Sequence, residues 1–249
     1  MYLNPIEPNR LKVIWQSSGS DRTKYVVGEL VRAGERVSLS YFQNSEQFLR
    51  AFAAGFRGHP AFPMRNPCYH ENVLEILSRR LPSRQRNDFY LYLIRHNINP
   101  DVKISDFALL GYTNGKLPSD GFSFVIDFRF QELPLVFPVE ISGFRYHGGM
   151  SIPTEILLKQ HVSFYLDNNN PHDPYAISIL SDGVVLGYVP RYYAEDIRAW
   201  LHWITLSGFV DRIEGPAKKP EVHVMLHVHK SSAMPSDVAL PHHSWFDEH

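Results

Sequence analysis

A polar loop that runs directly into an apolar strand is the feature that most constrains the fold of this chain. Residues 167–175 read Asp-Asn-Asn-Asn-Pro-His-Asp-Pro-Tyr, and Ala-Ile-Ser-Ile follows at 176–179. Asn and Asp side chains bond to nearby backbone groups and Pro fixes φ, so this composition predicts a rigid loop that holds its side chains in set directions. The residues that follow predict a strand entering a core. The second half of the chain is therefore expected to be a compact β structure.

The rest of the second half agrees with a small barrel. Apolar and β-branched runs predict strands at 139–146, 161–166, 175–180, 184–189 and 221–229. Residues 192–204 place apolar side chains at helical spacing, and Gly208 is predicted to end that helix. In the last strand, Val222, Val224, Leu226 and Val228 are predicted to face inward, with His223, Met225, His227 and His229 on the other face. Six or so short strands and one helix predict a compact barrel.

The first half indicates a separate α+β domain. Strands are predicted at 11–16, 25–30, 36–42 and 122–128, and helices at 72–80 and 84–96, with a short capped helix after Ser105. The segment 131–138, with its two prolines, is interpreted as a linker or as the start of the next strand. The fold class is α+β. Residues 1–132 are predicted to form the first domain, 133–231 the second, and 232–249 a flexible tail.

Charge is divided unequally between the halves. Residues 1–139 hold 17 Lys and Arg against 13 Asp and Glu, a balance of +4, whereas residues 140–249 hold 8 against 13, a balance of −5. Neither half contains an apolar run long enough to span a bilayer or a segment ordered like a signal peptide. The single cysteine, Cys68, forms no internal disulfide or zinc site by itself. The sequence therefore predicts a cytoplasmic protein without membrane contact.

Three segments of the second half resemble the HIRAN domain family. The loop 170–177, Asn-Pro-His-Asp-Pro-Tyr-Ala-Ile, is similar to the family's Asn-Pro-Tyr-Asp-Pro-Asn-Ala-Ile. Gly187-Tyr188-Val189-Pro190-Arg191 is similar to its Gly-Tyr-[Val/Ile]-Pro-Arg, and the segment 141–147, which contains Arg145 and Tyr146, is similar to its first motif. The resemblance covers nearly the whole second half and implies a small β-barrel-like domain with one helix.

The resemblance also implies a nucleic-acid site. In the best understood HIRAN domains the pocket holds a single-stranded DNA 3′ end, so Arg145 and Arg191 resemble phosphate contacts, Tyr146 a base-stacking residue and Asp173 the acceptor of the 3′ hydroxyl. His172 and Tyr188 complete the implied binding set. His172 stands where the family has tyrosine, and a histidine stacks over less area. The alternative interpretation is that Asp173 caps its own loop, and that Arg145 and Tyr146 are surface residues of a fold without a ligand.

Segments of the first half resemble the N-terminal subdomain of HipA-type toxin kinases, which also exists as a free-standing small protein. The matching pieces are 13–15, 25–30, 38–41, 59–64, 73–83 and 106–110. That resemblance implies binding to a HipA-like kinase encoded elsewhere, or to another protein partner. No Gly-rich phosphate loop or catalytic kinase segment accompanies it in the sequence. The other interpretation is a diverged scaffold that serves a different partner.

Other candidate sites are less specific. Arg79, Arg80, Arg84 and Arg86 lie at and between two predicted helices and form a possible auxiliary basic cluster. His223, His227 and His229 share a strand face, which makes a metal site conceivable, although a solvated or packed histidine face is the favoured interpretation. No serine or cysteine has the sequence context of a nucleophile. No metal, cofactor or catalytic residue is predicted.

The leading hypothesis is thus a non-enzymatic, antitoxin-like accessory protein. In this hypothesis the second domain binds single-stranded DNA or a DNA 3′ end, and the first domain binds or restrains a HipA-like kinase toxin. The alternative is a DNA-repair or phage-defence module whose first domain is only a scaffold. A histidine-dependent metal enzyme is the third possibility.

Overall fold

The computed structural model describes residues 5–19, 22–117 and 119–232. These residues divide into two compact units, one that ends at Phe130 and one that begins at Gln131. Most of the predicted flexible tail, from residue 233 onward, lies outside the described residues. No helix within the described ranges is long and apolar enough to cross a membrane. The predicted mixture of sheet and helix is confirmed, and the described residues contain more sheet than helix.

The first unit is built on an antiparallel sheet of five strands with helices packed against it. Its elements in chain order are β1 (Arg10–Gln16), β2 (Lys24–Ala33), β3 (Arg36–Tyr41), α1 (Glu46–Ala53), β4 (Gly58–His59), β5 (Phe62–Pro63), β6 (Cys68–Tyr69), α2 (Val73–Ser78), α3 (Phe89–Arg95), α4 (Asp106–Thr113) and β7 (Phe122–Ile126). The order in the sheet is β6-β3-β2-β1-β7, and β4 pairs with β5 separately.

Helix α4 supplies much of the core of this unit. Ser105 begins it, because its Oγ accepts a hydrogen bond from the backbone N–H of Ala108 at 3.1 Å, which is the predicted cap. Every residue from Phe107 to Tyr112 is buried. A side chain at Gly111 would meet Leu11 of β1 and Ile126 of β7 within 2.8 Å, so the helix lies close against these two strands.

The described residues of the second unit contain six strands. Its elements are β8 (Leu135–Glu140), α5 (Thr154–Leu157), β9 (His161–Leu166), β10 (Ile177–Ser181), β11 (Val184–Tyr188), α6 (Arg191–Trp200), β12 (Ile204–Glu214) and β13 (Glu221–Lys230), with 3-10 turns at Phe144–Tyr146 and Gly148–Ser151. The sheet order is β11-β10-β9-β12-β13-β8. The four residues of β13 predicted to face inward are each at most 1% exposed.

The two outer strands of this sheet are joined by a short bridge. Ser142, just after β8, donates its backbone N–H to the carbonyl of Tyr188 at 2.8 Å, and the N–H of Tyr188 returns a bond to Ser142 at 2.9 Å. Tyr188 is the last residue of β11. The predicted barrel therefore closes at this point. Gly187 permits the close approach: its φ is 146°, and a Cβ there would lie 2.4 Å from the carbonyl oxygen of Ser142.

Three predicted elements differ from the structure. The helix expected to end at Gly208 ends at Trp200, and Gly208 lies in the middle of β12, where a Cβ would meet the carbonyl oxygen of Met225 at 2.6 Å. The helix expected at 84–96 begins at Phe89, and the strand expected at 139–146 ends at Glu140. For Gly208 the prediction was wrong for a reason that lies far away in the sequence. Close approach of a neighbouring strand favours glycine as much as a helix end does.

Substitution of Gly187 tests the closure. Gly187→Ala places a methyl group on the Ser142 carbonyl and on Ile141, so we expect the free energy of unfolding to fall by about 2–4 kcal/mol. Gly183→Ala is the matched control, since Gly183 also has positive φ but has no atom within 4 Å of the added Cβ. It should cost only about 1 kcal/mol. Urea unfolding followed by tryptophan fluorescence measures both, and equal losses would contradict a tight closure.

Candidate functional site

Directly after the bridge at Ser142, the chain makes a turn that exposes the side chains of Arg145 and Tyr146. Gly143, with φ of 76°, starts the 3-10 turn, and Phe144 anchors it with 6% of its surface exposed. The Arg145 guanidinium lies 5.4 Å from the centre of the Tyr146 ring, and its Nη2 lies 3.4 Å from the phenol oxygen. Tyr146 is 79% exposed. The two thus form a cation–aromatic pair that presents a ring to solvent.

The polar loop 167–175 is held by its own side chains. The Oδ1 of Asn170 accepts the backbone N–H groups of His172 and Asp173 at 3.0 and 3.1 Å, and its Nδ2 donates to Oδ2 of Asp167 at 3.1 Å. Asp173 Oδ1 accepts the N–H of Tyr175 at 3.0 Å. These bonds fix the backbone around His172, which is exposed, and around Asp173, which is half-buried. Asp173 therefore does cap its loop, as the alternative interpretation expects, through one carboxylate oxygen.

Tyr188 connects the loop to the segment after β8. Its hydroxyl donates to Oδ2 of Asp167 at 3.0 Å, and its ring packs edge-on against His147, with 5.2 Å between centroids. The amide of Asn170 and then the Tyr188 hydroxyl lower the pKa of Asp167. Burial, followed by the bond to Asp167, raises the pKa of Tyr188. Both shifts keep a phenol donor facing a carboxylate at neutral pH.

Helix α6 contacts the loop through two arginines. Arg191, its first residue, places Nε 3.9 Å from Oδ1 of Asp173, and the Arg191 side chain stays 44% exposed. Arg198, two helical turns later, donates from Nη2 to Oδ1 of Asn168 at 2.7 Å. The Asp173–Arg191 separation makes a loose ion pair, which leaves both groups within reach of a ligand.

The candidate site thus joins three parts of the second unit: the turn with Arg145 and Tyr146, the loop with His172 and Asp173, and the adjoining ends of β11 and α6 with Tyr188 and Arg191. All six were predicted from sequence, and their binding role stays a prediction. Sequence reasoning gave no role to His147, Asp167 or Arg198. Arg198 had a usable signal, since it follows Arg191 by seven residues and so lies on the same helix face. No sequence signal predicted the hydrogen bond between Tyr188 and Asp167, which lie 21 positions apart.

The predicted auxiliary cluster in the first unit does not form a free basic surface, because each guanidinium meets a carboxylate. The four pairs are Arg79–Glu75 at 3.2 Å, Arg80–Asp120, Arg84–Asp106 at 2.5 Å and Arg86–Asp88 at 2.8 Å. The Arg80 side chain is 5% exposed and also bonds the carbonyl of Gly115 at 3.1 Å. Burial and the Arg80 charge lower the pKa of the neighbouring His59 to about 4. A phosphate-binding role for the cluster stays a prediction.

The histidines of β13 occupy different environments. His223 is 3% exposed and lies 3.7 Å from a carboxylate oxygen of Glu214, whereas His229 is exposed and its ring centroid lies 6.0 Å from that of His227. The described residues contain no group of three or more His, Cys, Asp or Glu side chains arranged to hold a metal ion.

Comparison with known proteins identifies the second unit. Residues 135–229 match the HIRAN domain family model, so this part of the chain is a HIRAN domain. The HIRAN domain of human HLTF is 19% identical, over 39% of this chain and 78% of that structure, with a TM-score of 0.31. A Lactobacillus plantarum protein is 24% identical, over 37% of this chain and 91% of that one, with a TM-score of 0.30. No curated protein matches the chain. The family match does not reach the first unit, whose HipA resemblance stays a prediction.

The pKa of Asp167 tests the link between the loop and β11. We expect the pKa of Asp167 to lie below the ordinary value of an aspartate in the folded protein, so its contacts contribute stability above about pH 4 and lose it as the pH falls. Tyr188→Phe removes the hydroxyl donor and should raise the pKa of Asp167 part of the way to the ordinary value. Asn170→Ala removes the amide donor, which lowers this pKa more, and should by itself raise the pKa by more than Tyr188→Phe does. Carbon NMR titration of the carboxyl groups measures both shifts. An Asp167 pKa that neither variant moves would contradict the link.

Proposed function

We propose that the second unit binds single-stranded DNA at a 3′ end and performs no chemistry on it. The observation that carries this proposal is the closure of the barrel at Ser142 and Tyr188. Through His147, Tyr188 and Asp167, it links the exposed Arg145–Tyr146 pair to the loop that holds Asp173. An exposed ring, cations and a positioned carboxylate are the groups that a terminal nucleotide requires, namely a stacking surface, phosphate contacts and a hydroxyl acceptor.

Each residue has a distinct role in this proposal. Tyr146 stacks on the terminal base, and His172 supports it from the loop with a smaller ring than the family's tyrosine. Asp173 accepts the 3′ hydroxyl through Oδ2, since both of its contacts described above use Oδ1. Arg145 and Arg191 contact phosphates. Tyr188 holds Asp167 and so positions the loop.

The charge distribution favours a local contact over general attraction to DNA. Residues 140–249 carry a balance of −5, but three of their eight Lys and Arg residues, Arg145, Arg191 and Arg198, lie at this site. If two phosphates are contacted, the logarithm of the binding constant should fall against that of salt concentration with a slope of about −1.4. A strong, salt-insensitive complex or a much steeper slope would indicate a different mode of binding.

Binding to strands with free and blocked 3′ ends tests the proposal. We expect the full chain to prefer a free 3′ hydroxyl to a 3′ phosphate, because the phosphate would meet the Asp173 carboxylate. Tyr146→Ala should weaken binding to both strands by about 10-fold or more through loss of stacking. Asp173→Ala should remove the preference. Fluorescence anisotropy measures the affinities, and circular dichroism checks that the variants fold.

The possible outcomes separate the hypotheses. Equal wild-type affinity for the two ends would overturn 3′-end recognition while leaving DNA binding in place. Absence of binding even at low salt would overturn DNA binding altogether and favour a HIRAN fold that serves as a scaffold.

We propose further that the first unit binds a protein, with a HipA-like kinase as the class of partner that its resemblance suggests. Support comes from Tyr90 and Leu91 of α3, which are 53% and 51% exposed, and from Leu49 and Phe52 of α1, at 56% and 48%. Exposed large apolar side chains often mark protein contacts. The competing role is a DNA-repair or phage-defence accessory in which this unit is only a scaffold.

Co-purification with a genetically neighbouring kinase tests the protein-binding role. We expect a stable complex that Tyr90→Ser with Leu91→Ser weakens by at least about 10-fold, measured by calorimetry. Exposed Arg36→Ser serves as a control on β3. This proposal would be overturned if no kinase-like protein were recovered. It would also be overturned if neither the α3 double variant nor Leu49→Ser with Phe52→Ser weakened the complex.

A further inference from the structure

A second tyrosine lies in line with the candidate site, on the strand that leads into the polar loop. Tyr165 of β9 is directly opposite Ser178 of β10, and Ser178 is directly opposite Tyr188 of β11. Directly paired residues of antiparallel strands place their side chains on one face. Tyr165, Ser178 and Tyr188 therefore form a row across three strands, with a small side chain between two aromatic ones.

The parity of the strand places Tyr165 on the face that carries the site. The pairing of β9 with β10 continues past Leu166, because the N–H of Asp167 donates to the carbonyl of Ala176 at 3.0 Å. Tyr165 and Asp167 are two residues apart and so point to the same face. Asp167 accepts the Tyr188 hydroxyl there. Strand parity and cross-strand register thus agree on the position of Tyr165.

Tyr165 is not used to build the core. It is 58% exposed, although tyrosine in strands usually packs on its neighbours. The exposure has a structural cause: β9 pairs with β12 only at Val162 and His161, so no partner on the β12 side is registered with Tyr165. The hydroxyl of Ser178 donates to the Tyr165 carbonyl at 3.1 Å, which fixes the backbone beneath the ring. A large ring is therefore held by an ordered strand and left open to solvent.

We propose that Tyr165 is a second stacking platform, which holds a base on the 5′ side of the terminal nucleotide. This proposal rests on the DNA-binding function proposed above. Two strand spacings, about 10 Å, separate Tyr165 from Tyr188, so on this face the ring lies beside the site and not within it, at a distance that a strand of a few nucleotides spans. Every base has a π face, so this subsite accepts any base and extends the site along the strand without reading sequence.

The length dependence of binding tests this second platform. Oligothymidylates of two to eight nucleotides with free 3′ hydroxyls are titrated into the full chain by calorimetry. Wild-type affinity should rise with length up to about four or five nucleotides. Tyr165→Thr keeps a residue of high strand propensity but removes the ring, and should weaken binding of the longer strands by about 10-fold while leaving the dinucleotide unchanged. Tyr165→Phe should retain the wild-type profile, because stacking needs the ring and not the hydroxyl.

Control variants make each outcome decisive. Ile156→Thr, in α5 and 57% exposed, should leave every affinity unchanged. If Tyr165→Thr binds the longest strand as tightly as wild type while Tyr146→Ala does not, the second platform is overturned and the proposed function stands. If Tyr165→Thr weakens all lengths equally, Tyr165 acts on the terminal site instead, which also overturns the proposal. If wild type binds none of the strands, the proposed function fails and the second platform fails with it.

Discussion

Two backbone hydrogen bonds between Ser142 and Tyr188 determine the arrangement of the candidate site. They join a residue just beyond one outer strand of the six-stranded sheet to the last residue of the other outer strand. The approach is possible only because residue 187 has no side chain. From this point the chain turns at Gly143 into the exposed Arg145–Tyr146 pair, and Tyr188 extends its hydroxyl to the polar loop. Without the closure, the turn that carries Arg145 and Tyr146 would not be joined to the strand that positions the loop.

Local patterns predicted the parts of this structure that depend on neighbouring residues. The alternation in β13, the Ser105 cap and the loop around Asp173 follow from side-chain period and turn chemistry, which act over a few positions. Gly208 shows the limit of such reasoning. A glycine after a helical pattern predicts a helix end, but this one is needed where β13 approaches the middle of β12. Strand β12 was missed for that reason, since its cause lies about seventeen residues away in sequence.

Formal charge gave an incomplete picture of both units. Residues 1–139 hold an excess of four positive charges, yet the four arginines of the predicted cluster in the first unit are each paired with a carboxylate and one of them is almost fully buried. The second unit is acidic, yet Arg145 and Arg191 remain exposed or half-exposed at its candidate site. The capacity to bind phosphate depends on how each cation is paired and how far it is exposed, and a sum over the sequence does not contain that information.

The bridge at Tyr188 also occupies hydrogen-bonding groups at an outer strand of the sheet. An uncovered strand edge is a template for pairing with other chains, so proteins gain in solubility when such an edge is closed. Selection against aggregation would therefore retain Gly187 and its neighbours even in a descendant that no longer binds a ligand. Loss of binding would appear first at the exposed side chains, such as Tyr146 and His172, while the sequence signature of the closed barrel persisted.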